Sequence, residues 1–307
     1  MKIFSKIKNF IHNPKIFKRV ILNQFAPLIK NDELFIKMKW SISDMQYPLN
    51  LQNPQTFCEK LQWLKLHNRK PIYTTMVDKA EAKKYVASII GEEYIIPTIA
   101  IWDSADKIDW DILPNQFVMK CTHDSGGIVI CKDKSKLDKS EAYKIMKKGL
   151  KRRYFWQNRE WPYKDVTPRI IVEEYMEDNK TRELRDYKYF CFDGVVKALF
   201  IASERQKQGE DTKFDFFDEN YNHLPIINGH PNATLIPEKP LRFEDMKSLA
   251  AKLSKGMPHL RVDFYEMNGK IYFGELTFFH WSGMVPFEPV EWDYKFGEWI
   301  ILPSEIK

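Results

Sequence analysis

The sequence predicts an α+β protein with a mainly helical N-terminal region. Three observations point there. Helical signals dominate residues 1 to about 70, strand patterns recur between about 94 and 202, and residues 260–277 read as two alternating strands joined at Asn268-Gly269. At 307 residues with 44% hydrophobic content, the chain can bury a large core as one elaborated domain or two lobes.

Thr56-Phe-Cys-Glu59 has the form of a capping box and opens a helix running through Trp63 and Leu66. A second helix is expected from about Thr75 to Ile90, ended by Gly91, and a strand from Tyr94 to Ile101. Ser140 to Arg153 reads as a lysine-rich amphipathic helix with its charge in solvent; Arg152, Arg153 and Arg159 are candidate contacts for an acceptor. Strands are expected over 168–176 and 186–202, and a helix over Phe243 to Lys255 closed by Gly256. The stretch from about Lys207 to Pro240, rich in Asn, Asp, Gly and Pro, reads as irregular, a lid or acceptor-facing loop.

The most informative segment is Leu260-Arg-Val-Asp-Phe-Tyr-Glu-Met-Asn-Gly-Lys-Ile-Tyr-Phe-Gly-Glu-Leu-Thr277. Arg261, Asp263 and Glu275 sit among aromatic and aliphatic neighbours, where charge is costly to bury without partners. A divalent cation shared with a polyphosphate satisfies two carboxylates at once. With regular strands on both sides of a two-residue turn, Asp263 and Glu275 fall on opposite faces of the ribbon. The expectation is therefore a three-residue loop, Met267-Asn268-Gly269, with Gly269 left-handed, which pairs 261 with 275 and 263 with 273. Arg261, Asp263, Glu275 and Thr277 then share one face. An ordinary surface hairpin with an Arg261–Glu275 ion pair is the plainer reading.

Two further segments bear on that choice. Gln116-Phe-Val-Met-Lys120 reads as a buried strand ending in lysine, followed by Cys-Thr-His-Asp-Ser-Gly-Gly127 and a second strand, Ile128 to Lys132. Backbone N–H groups of a Ser-Gly-Gly turn can close on phosphate oxygens because no Cβ blocks the approach, and Lys120 supplies a fixed charge. By itself such a turn is most often a plain hairpin. Pro168-Arg-Ile-Ile-Val-Glu-Glu-Tyr-Met176 is an apolar strand ending in two acids and an aromatic, followed by Arg185-Asp-Tyr-Lys-Tyr-Phe-Cys-Phe-Asp-Gly194.

In this order the segments resemble the ATP-grasp superfamily, and more closely its TupA-like group, associated with cell-surface polysaccharide and teichuronopeptide synthesis. Asn53-Pro-Gln-Thr-Phe-Cys-Glu-Lys-Leu-Gln-Trp-Leu-Lys65 and Asp78-Lys-Ala-Glu-Ala-Lys-Lys-Tyr-Val86 add to the likeness, which spans roughly residues 50 to 300. The resemblance implies an ATP-grasp fold, two α+β lobes gripping ATP: a helical region over 1–70, then a domain over 71–307 with lobes of about 71–170 and 171–307. It implies that Lys120 contacts the α and β phosphates under a flexible loop of Ser125, Gly126 and Gly127. Glu173, Glu174 and Tyr175 then form the hinge beside adenine, and Asp186, or Glu183 in its place, meets the ribose. Lys188 points toward the phosphates, Asp263 and Glu275 hold Mg2+, and Arg261 lies by the transferring phosphate. Thr277 departs from the family's usual Asn, which bears on how a second metal is held. The implied reaction is ATP-dependent ligation of a carboxylate acceptor, small molecule or glycan, to an amine donor through an acyl phosphate, in capsule, O-antigen or teichuronopeptide biosynthesis. His280, just beyond the metal strand, either handles a proton or packs among aromatics; His123, inside the phosphate loop, is the better polar contact.

The rival reading is a glycosyltransferase using Asp109-Trp-Asp111, a DxD form that holds a metal and a nucleotide sugar. A carbohydrate-binding protein leaves Lys120, Asp263 and Glu275 without a role, and the HRD and DFG signatures of a protein kinase are missing. Cysteines 58, 121, 131 and 191 show no metal spacing and read as reduced thiols of a cytoplasmic protein. No apolar run nears the length of a membrane span. A net charge of +6 on 90 charged residues gives no nucleic-acid module. The first 30 residues carry seven basic residues and no acid, with Ile3, Ile7, Phe10 and Ile11 on one helical face. That stripe either docks on its own protein or makes peripheral contact with the inner face of a membrane.

Overall fold

Two antiparallel sheets organise the chain, one in the order Thr98–Trp102, Ile170–Glu174, Phe117–Cys121, Ile128–Cys131 and the other in the order Lys270–Thr277, Leu260–Met267, Asp186–Phe192, Val195–Ser203, Lys213–Asp218, His223–Leu224. The computed structural model describes residues 14–178, 184–203 and 212–304. The expected apolar face through Ile3 and Ile11 lies outside them, as does Glu183.

Helices α1 (Pro14–Phe25), α2 (Asp32–Ser41) and α3 (Phe57–His67) come first. The capping box at the start of α3 is formed: Glu59 N–H donates to Thr56 Oγ1 at 3.1 Å, and Thr56 N–H donates to Glu59 Oε2 at 3.1 Å. Two otherwise orphaned donors are thereby satisfied at the helix entrance. The single helix expected over 75–90 is two, α4 (Ile72–Val77) and α5 (Glu81–Ile90). Asp78 makes the break. Its Oδ1 accepts from Ala80 N–H at 2.8 Å, its Oδ2 pairs with Arg169 at 2.9 Å, and Lys79 N–H leaves the helical path for Thr122 O. Side-chain capping competes with helix continuation at Asp for this reason.

The first sheet holds β1 (Thr98–Trp102), β2 (Phe117–Cys121), β3 (Ile128–Cys131) and β4 (Ile170–Glu174). The strand expected from Tyr94 begins only at Thr98, because Glu92–Tyr94 forms a 3-10 turn and Pro97 has no N–H to give a ladder. Helix α6 (Lys139–Lys151) lays Ala142 and Met146 against Met119 and Val172 to make this sheet's core. A four-residue helix, α7 (Phe155–Asn158), follows it.

The second sheet is made of β5 (Asp186–Phe192), β6 (Val195–Ser203), β7 (Lys213–Asp218), β8 (His223–Leu224), β9 (Leu260–Met267) and β10 (Lys270–Thr277). The 207–240 stretch is therefore not irregular throughout. Phe214, Phe216 and Phe217 are buried on β7, a short apolar core that the surrounding Asn, Asp and Pro obscure. Helix α8 (Phe243–Ser254) covers the sheet with Met246, Leu249, Ala250 and Leu253. Phe57 of α3, Tyr73 of α4, Val86 of α5 and Phe296 of α9 (Glu291–Trp299) join that same core.

The β9–β10 hairpin corrects the expected loop. Met267 pairs with Lys270 across a two-residue turn in which Asn268 and Gly269 have φ of 51° and 75°. The extra residue sits instead at Gly274, where the register shifts, so that Glu275 faces Asp263 and Thr277 faces Arg261. A bulge inside the strand achieves what a bulged turn was expected to achieve, at a different place. Gly274 is suited to it: a Cβ there would lie 3.1 Å from both Asp263 O and a Tyr265 ring carbon.

Gly274→Val is accordingly expected to destabilise the protein by about 1–3 kcal/mol through overpacking against backbone. A urea melt should show a lower midpoint with the slope unchanged; an unchanged midpoint would mean the bulge tolerates a side chain.

Candidate active site

Strand pairing places Lys188 of β5 opposite Asp263 of β9, and Asp263 opposite Glu275 of β10. One row across three strands thus reads cation, anion, anion. Asp263 is 1% exposed and tightly held: Lys188 Nζ lies 2.5 Å from Oδ2, while Arg261 Nε and Nη2 donate to Oδ1 and Oδ2 at 2.7 and 2.8 Å. Burial alone would raise this carboxyl's pKa, but Arg261 and Lys188 outweigh it and hold the group below the ordinary carboxylate range. Burial pulls the Lys188 ammonium the other way, downward, and the Arg261 charge adds to that while Asp263 opposes it.

Arg261 is fixed at almost every donor. Beyond Asp263, Nη2 donates to Thr277 Oγ1 at 2.9 Å and Nη1 to His280 Nδ1 at 2.7 Å. That contact assigns the His280 tautomer, because a ring nitrogen accepting from a guanidinium carries no proton. The proton is then on Nε2, which donates to Asn228 Oδ1 at 2.8 Å. Burial first and Arg261 second keep this imidazole neutral, well below its usual pKa. His280 also lies edge-on to Phe190, so the packed-histidine reading and a polar role coincide: it is buried among aromatics and it orients Arg261. Asn228 anchors the other end by donating to Val285 O and Pro286 O.

The opposing wall comes from the first sheet and α5. Lys120 Nζ and Lys83 Nζ each lie 2.5 Å from one oxygen of Glu173. Burial works to raise the Glu173 pKa, and the two lysines overcome it and lower it. A narrow cleft joins this wall to the β9–β10 hairpin: Lys79, Lys83, Lys120 and Glu173 line one side, Gly274 and Glu275 the other. Among the described residues, no side chain hydrogen-bonds or ion-pairs with the Glu275 carboxylate.

The remaining sequence-derived residues are placed as follows. Ser125, Gly126 and Gly127 form the β2–β3 loop, with Gly127 at φ 71° and the Arg152 guanidinium lying where a Gly126 Cβ would go. Arg152 pairs with Asp124 at 3.0 Å, and His123 donates from Nε2 to Arg152 O at 3.0 Å. His123 is 2% exposed, so it braces the loop from inside rather than facing a ligand. Strand alternation separates the two glutamates of β4: Glu173 turns inward to the lysines and Glu174 is exposed, followed by Tyr175, whose hydroxyl donates to Glu177 at 2.9 Å. Asp186 is buried, its carboxylate 3.6 Å from Lys188 Nζ. Arg159 is no acceptor contact; it is buried, donates to Ala26 O and Ile29 O, and pairs with Asp32. Asp109 closes its own turn by accepting from Asp111 N–H at 3.0 Å, and both residues are exposed.

Sequence reasoning did not single out Lys83, Asn228, or a buried cluster of Lys65, Glu160 and Ser282. Lys83 was visible only within the Asp78–Val86 motif. Ser282 donates to Glu160, and Lys65 Nζ donates to Ser282 O at 2.8 Å and to Gln62 at 2.9 Å. Burial raises Glu160 to about 7 against the pull of Lys65, and lowers Lys65 to about 8 against the pull of Glu160. Nothing in the local sequence marks this cluster, because its members lie in three distant segments.

The donor set suits magnesium and a polyphosphate. Two carboxylates face each other across one strand pair, Glu275 having no hydrogen-bond or ion-pair partner among the described residues, and lysines stand across the cleft. Asp263→Asn, which leaves Arg261 and Lys188 buried without their counter-charge, is expected to cost about 3–5 kcal/mol. The depressed Asp263 and Glu173 pKa values fix the sign with pH: their stabilisation is full above the unfolded carboxylate values of about 3.9–4.3 and is lost as pH falls through the lower folded values. Chemical denaturation between neutral and acid pH should show wild-type stability falling and the Asp263→Asn deficit shrinking; a deficit independent of pH would contradict the ion-pair account.

A family profile described as TupA-like ATPgrasp matches residues 59–301. No curated protein matches the chain. Among solved structures, the D-alanine–D-alanine ligase from Bacillus anthracis, complexed with ATP, is 16% identical, over 66% of this chain and 53% of that one, at a TM-score of 0.37. The D-alanine–D-alanine ligase from Helicobacter pylori is 12% identical over 74% and 61%, at 0.39, and the D-cycloserine synthetase DcsG is 13% identical over 75% and 70%, at 0.42. The chain thus spans little more than half the length of the first of these ligases. With the profile covering most of its length, this chain belongs to the TupA-like ATP-grasp family and has an ATP-grasp α+β fold.

Proposed function

We propose that this protein is an ATP-dependent carboxylate–amine ligase acting through an acyl phosphate, in the synthesis of a surface polysaccharide. The observation that carries the reading is a narrow cleft with Lys120, Lys83 and Lys79 on one wall and Glu275 on the other, in register with Asp263. A polyanion that opens it meets Lys120 and Lys83, which now neutralise Glu173. Lys120 exchanges one anionic partner for another, so little charge has to be desolvated afresh. The Ser125-Gly126-Gly127 loop closes over the phosphates, and Glu174 and Tyr175 form the edge beside the base, with Asp186 toward the ribose. Glu275 and Asp263 would hold a magnesium ion, which when bound would offset the phosphate charge that otherwise repels a carboxylate nucleophile.

The chemistry asked of these residues is electrostatic. An acceptor carboxylate oxygen attacks the γ-phosphorus, the bond to the β-γ bridging oxygen breaks, and ADP leaves. The amine nitrogen then attacks the acyl carbon, phosphate departs, and the nitrogen loses a proton as the amide forms. Arg261, held rigid by Asp263, Thr277 and His280, presents a guanidinium that needs no reorganisation as charge develops. Lys188 lies on the same row and adds a second fixed charge. The polysaccharide role rests on the family association; the acceptor is a sugar acid or glycan carboxylate and the donor an amine.

Thermal shift and turnover test these roles. Mg-ATP should raise the melting temperature of the wild type, and Lys120→Ala should lose most of that shift. Glu275→Gln should fold normally yet release no phosphate from ATP with mixed sugar acids and amines, and changes at Asp109 and Asp111 should leave release intact. Stabilisation by nucleotide sugars in place of ATP, or loss of turnover on changing Asp109 and Asp111, would point to glycosyl transfer.

His280 gives a sharper test. His280→Phe removes the acceptor for Arg261 and should lower kcat by about 10–100-fold, less than the loss of a donor that acts directly on the reacting group, with KM for ATP little changed. His280→Asn keeps an acceptor near the Nδ1 position and should recover part of the loss. Equal losses in both variants would assign His280 to packing alone.

A further inference from the structure

Just beyond β10 the backbone turns left-handed over three consecutive residues: Trp281, Ser282 and Gly283 have φ of 48°, 56° and 59°. A bulky side chain at positive φ is an outlier, and such strain persists only where the surroundings over-determine it. Here they do. The buried Ser282 hydroxyl donates to Glu160, and Ser282 O accepts from Lys65 Nζ and Gln62 Nε2 at 2.8 and 2.9 Å. Gly283 O also accepts from Gln62 Nε2, at 2.8 Å. The buried cluster of Lys65, Glu160 and Ser282, to which the reaction gives no role, thus grips the turn from inside.

What the turn presents outward is the Trp281 indole, 40% exposed. The ring is braced. It stacks on Phe214 with centroids 6.0 Å apart, and Gly229 packs so close that a Cβ there would lie 3.1–3.2 Å from three indole atoms. Among the described residues the indole N–H makes no hydrogen bond. Phe214 pairs with Ala202, and Ala202 with Asp186, so the ring lies over the sheet face that carries Asp186, Lys188 and Asp263. Its chain neighbour is His280, whose Nδ1 accepts from Arg261. Whatever reaches the indole is therefore beside the charged row.

We propose that Trp281 is a platform on which a pyranose ring of the acceptor stacks, with the sugar's carboxylate turned toward the Lys188–Arg261 end of the site. The identity of this ligand rests on the ligase reading. A pyranose presents C–H groups on its face, which meet the negative face of an indole favourably, and hydroxyls at its rim, one of which accepts from the indole N–H. A ring held rigid beforehand loses little freedom when the sugar binds.

Fluorine NMR tests this on the full chain labelled with 5-fluorotryptophan, the Trp281 signal being the one lost in Trp281→Tyr. The probes are linear trisaccharides of galacturonic, glucuronic and mannuronic acid, added with and without Mg-ADP. At least one should shift the Trp281 signal, and neutral maltotriose should shift it far less. By calorimetry, Trp281→Ala should weaken binding of that trisaccharide by roughly tenfold or more, and Trp281→Tyr should recover part of the loss. The melting-temperature shift with Mg-ATP should be the same in Trp281→Ala as in wild type, since the indole does not line the nucleotide cleft. Should the alanine variant fail to fold, the wild-type fluorine signal and the tyrosine variant decide. A Trp281 signal unmoved by all three uronates, an equal shift with maltotriose, or undiminished binding in Trp281→Ala would overturn the proposal. Absence of the Mg-ATP shift from wild type overturns the ligase reading itself, and the sugar titration does not depend on that result.

Discussion

The structure depends on how it tolerates charge in its interior. Arg261, Asp263 and His280 are buried around one strand row and Lys188 is largely so, an arrangement that is unstable unless every group has a partner. The solution is a closed set of charge-assisted hydrogen bonds, with Asp263 at the centre and Arg261 carrying the link outward to Thr277, His280 and Asn228. Among the described residues, Glu275 has no hydrogen bond or ion pair to this set, although it faces Asp263 across the strand pair. In the proposed reading that asymmetry makes a site of the ion cluster: Lys188 and Arg261 fix Asp263 in place, and Glu275 stands beside it to share a ligand from outside.

The bulge at Gly274 decides where that carboxylate points. Without the extra residue, Glu275 would fall on the other face of the ribbon and leave the Lys188–Asp263 row. The opposite wall follows the same logic in reverse. Glu173 holds Lys120 and Lys83 in place by pairing with both, and the cleft brings this lysine pair toward Glu275. Fold and site are therefore one construction, in which each sheet contributes a charged edge and the helices α4 and α5 close the side.

Much of this was legible in the sequence. The charges in Arg261-Val-Asp263 and Gly274-Glu275 stood out because they interrupt apolar strands, and the requirement that they share a face was correct even though the device was placed in the turn instead of the strand. A turn type can be argued from Asn-Gly, but a bulge at Gly274 depends on cross-strand contact with Tyr265 and Asp263, which no local pattern reports. The break at Asp78 was missed for a related reason: helical periodicity runs through it, and the partner that draws it out, Arg169, lies 91 residues away. Strand β7 was hidden by the composition around it. Lys65, Glu160, Ser282 and Asn228 could not be read at all, since each is an ordinary polar residue until the fold brings its partner to it.

The most direct test is a crystal structure with Mg2+ and a non-hydrolysable ATP analogue. The account predicts the polyphosphate between Lys120 and the β9–β10 hairpin, with Lys120 moved from Glu173 to a phosphate oxygen and a metal ion touching both Glu275 and Asp263. A nucleotide bound elsewhere, with the Lys120–Glu173 pair intact and no metal at Glu275, would contradict it.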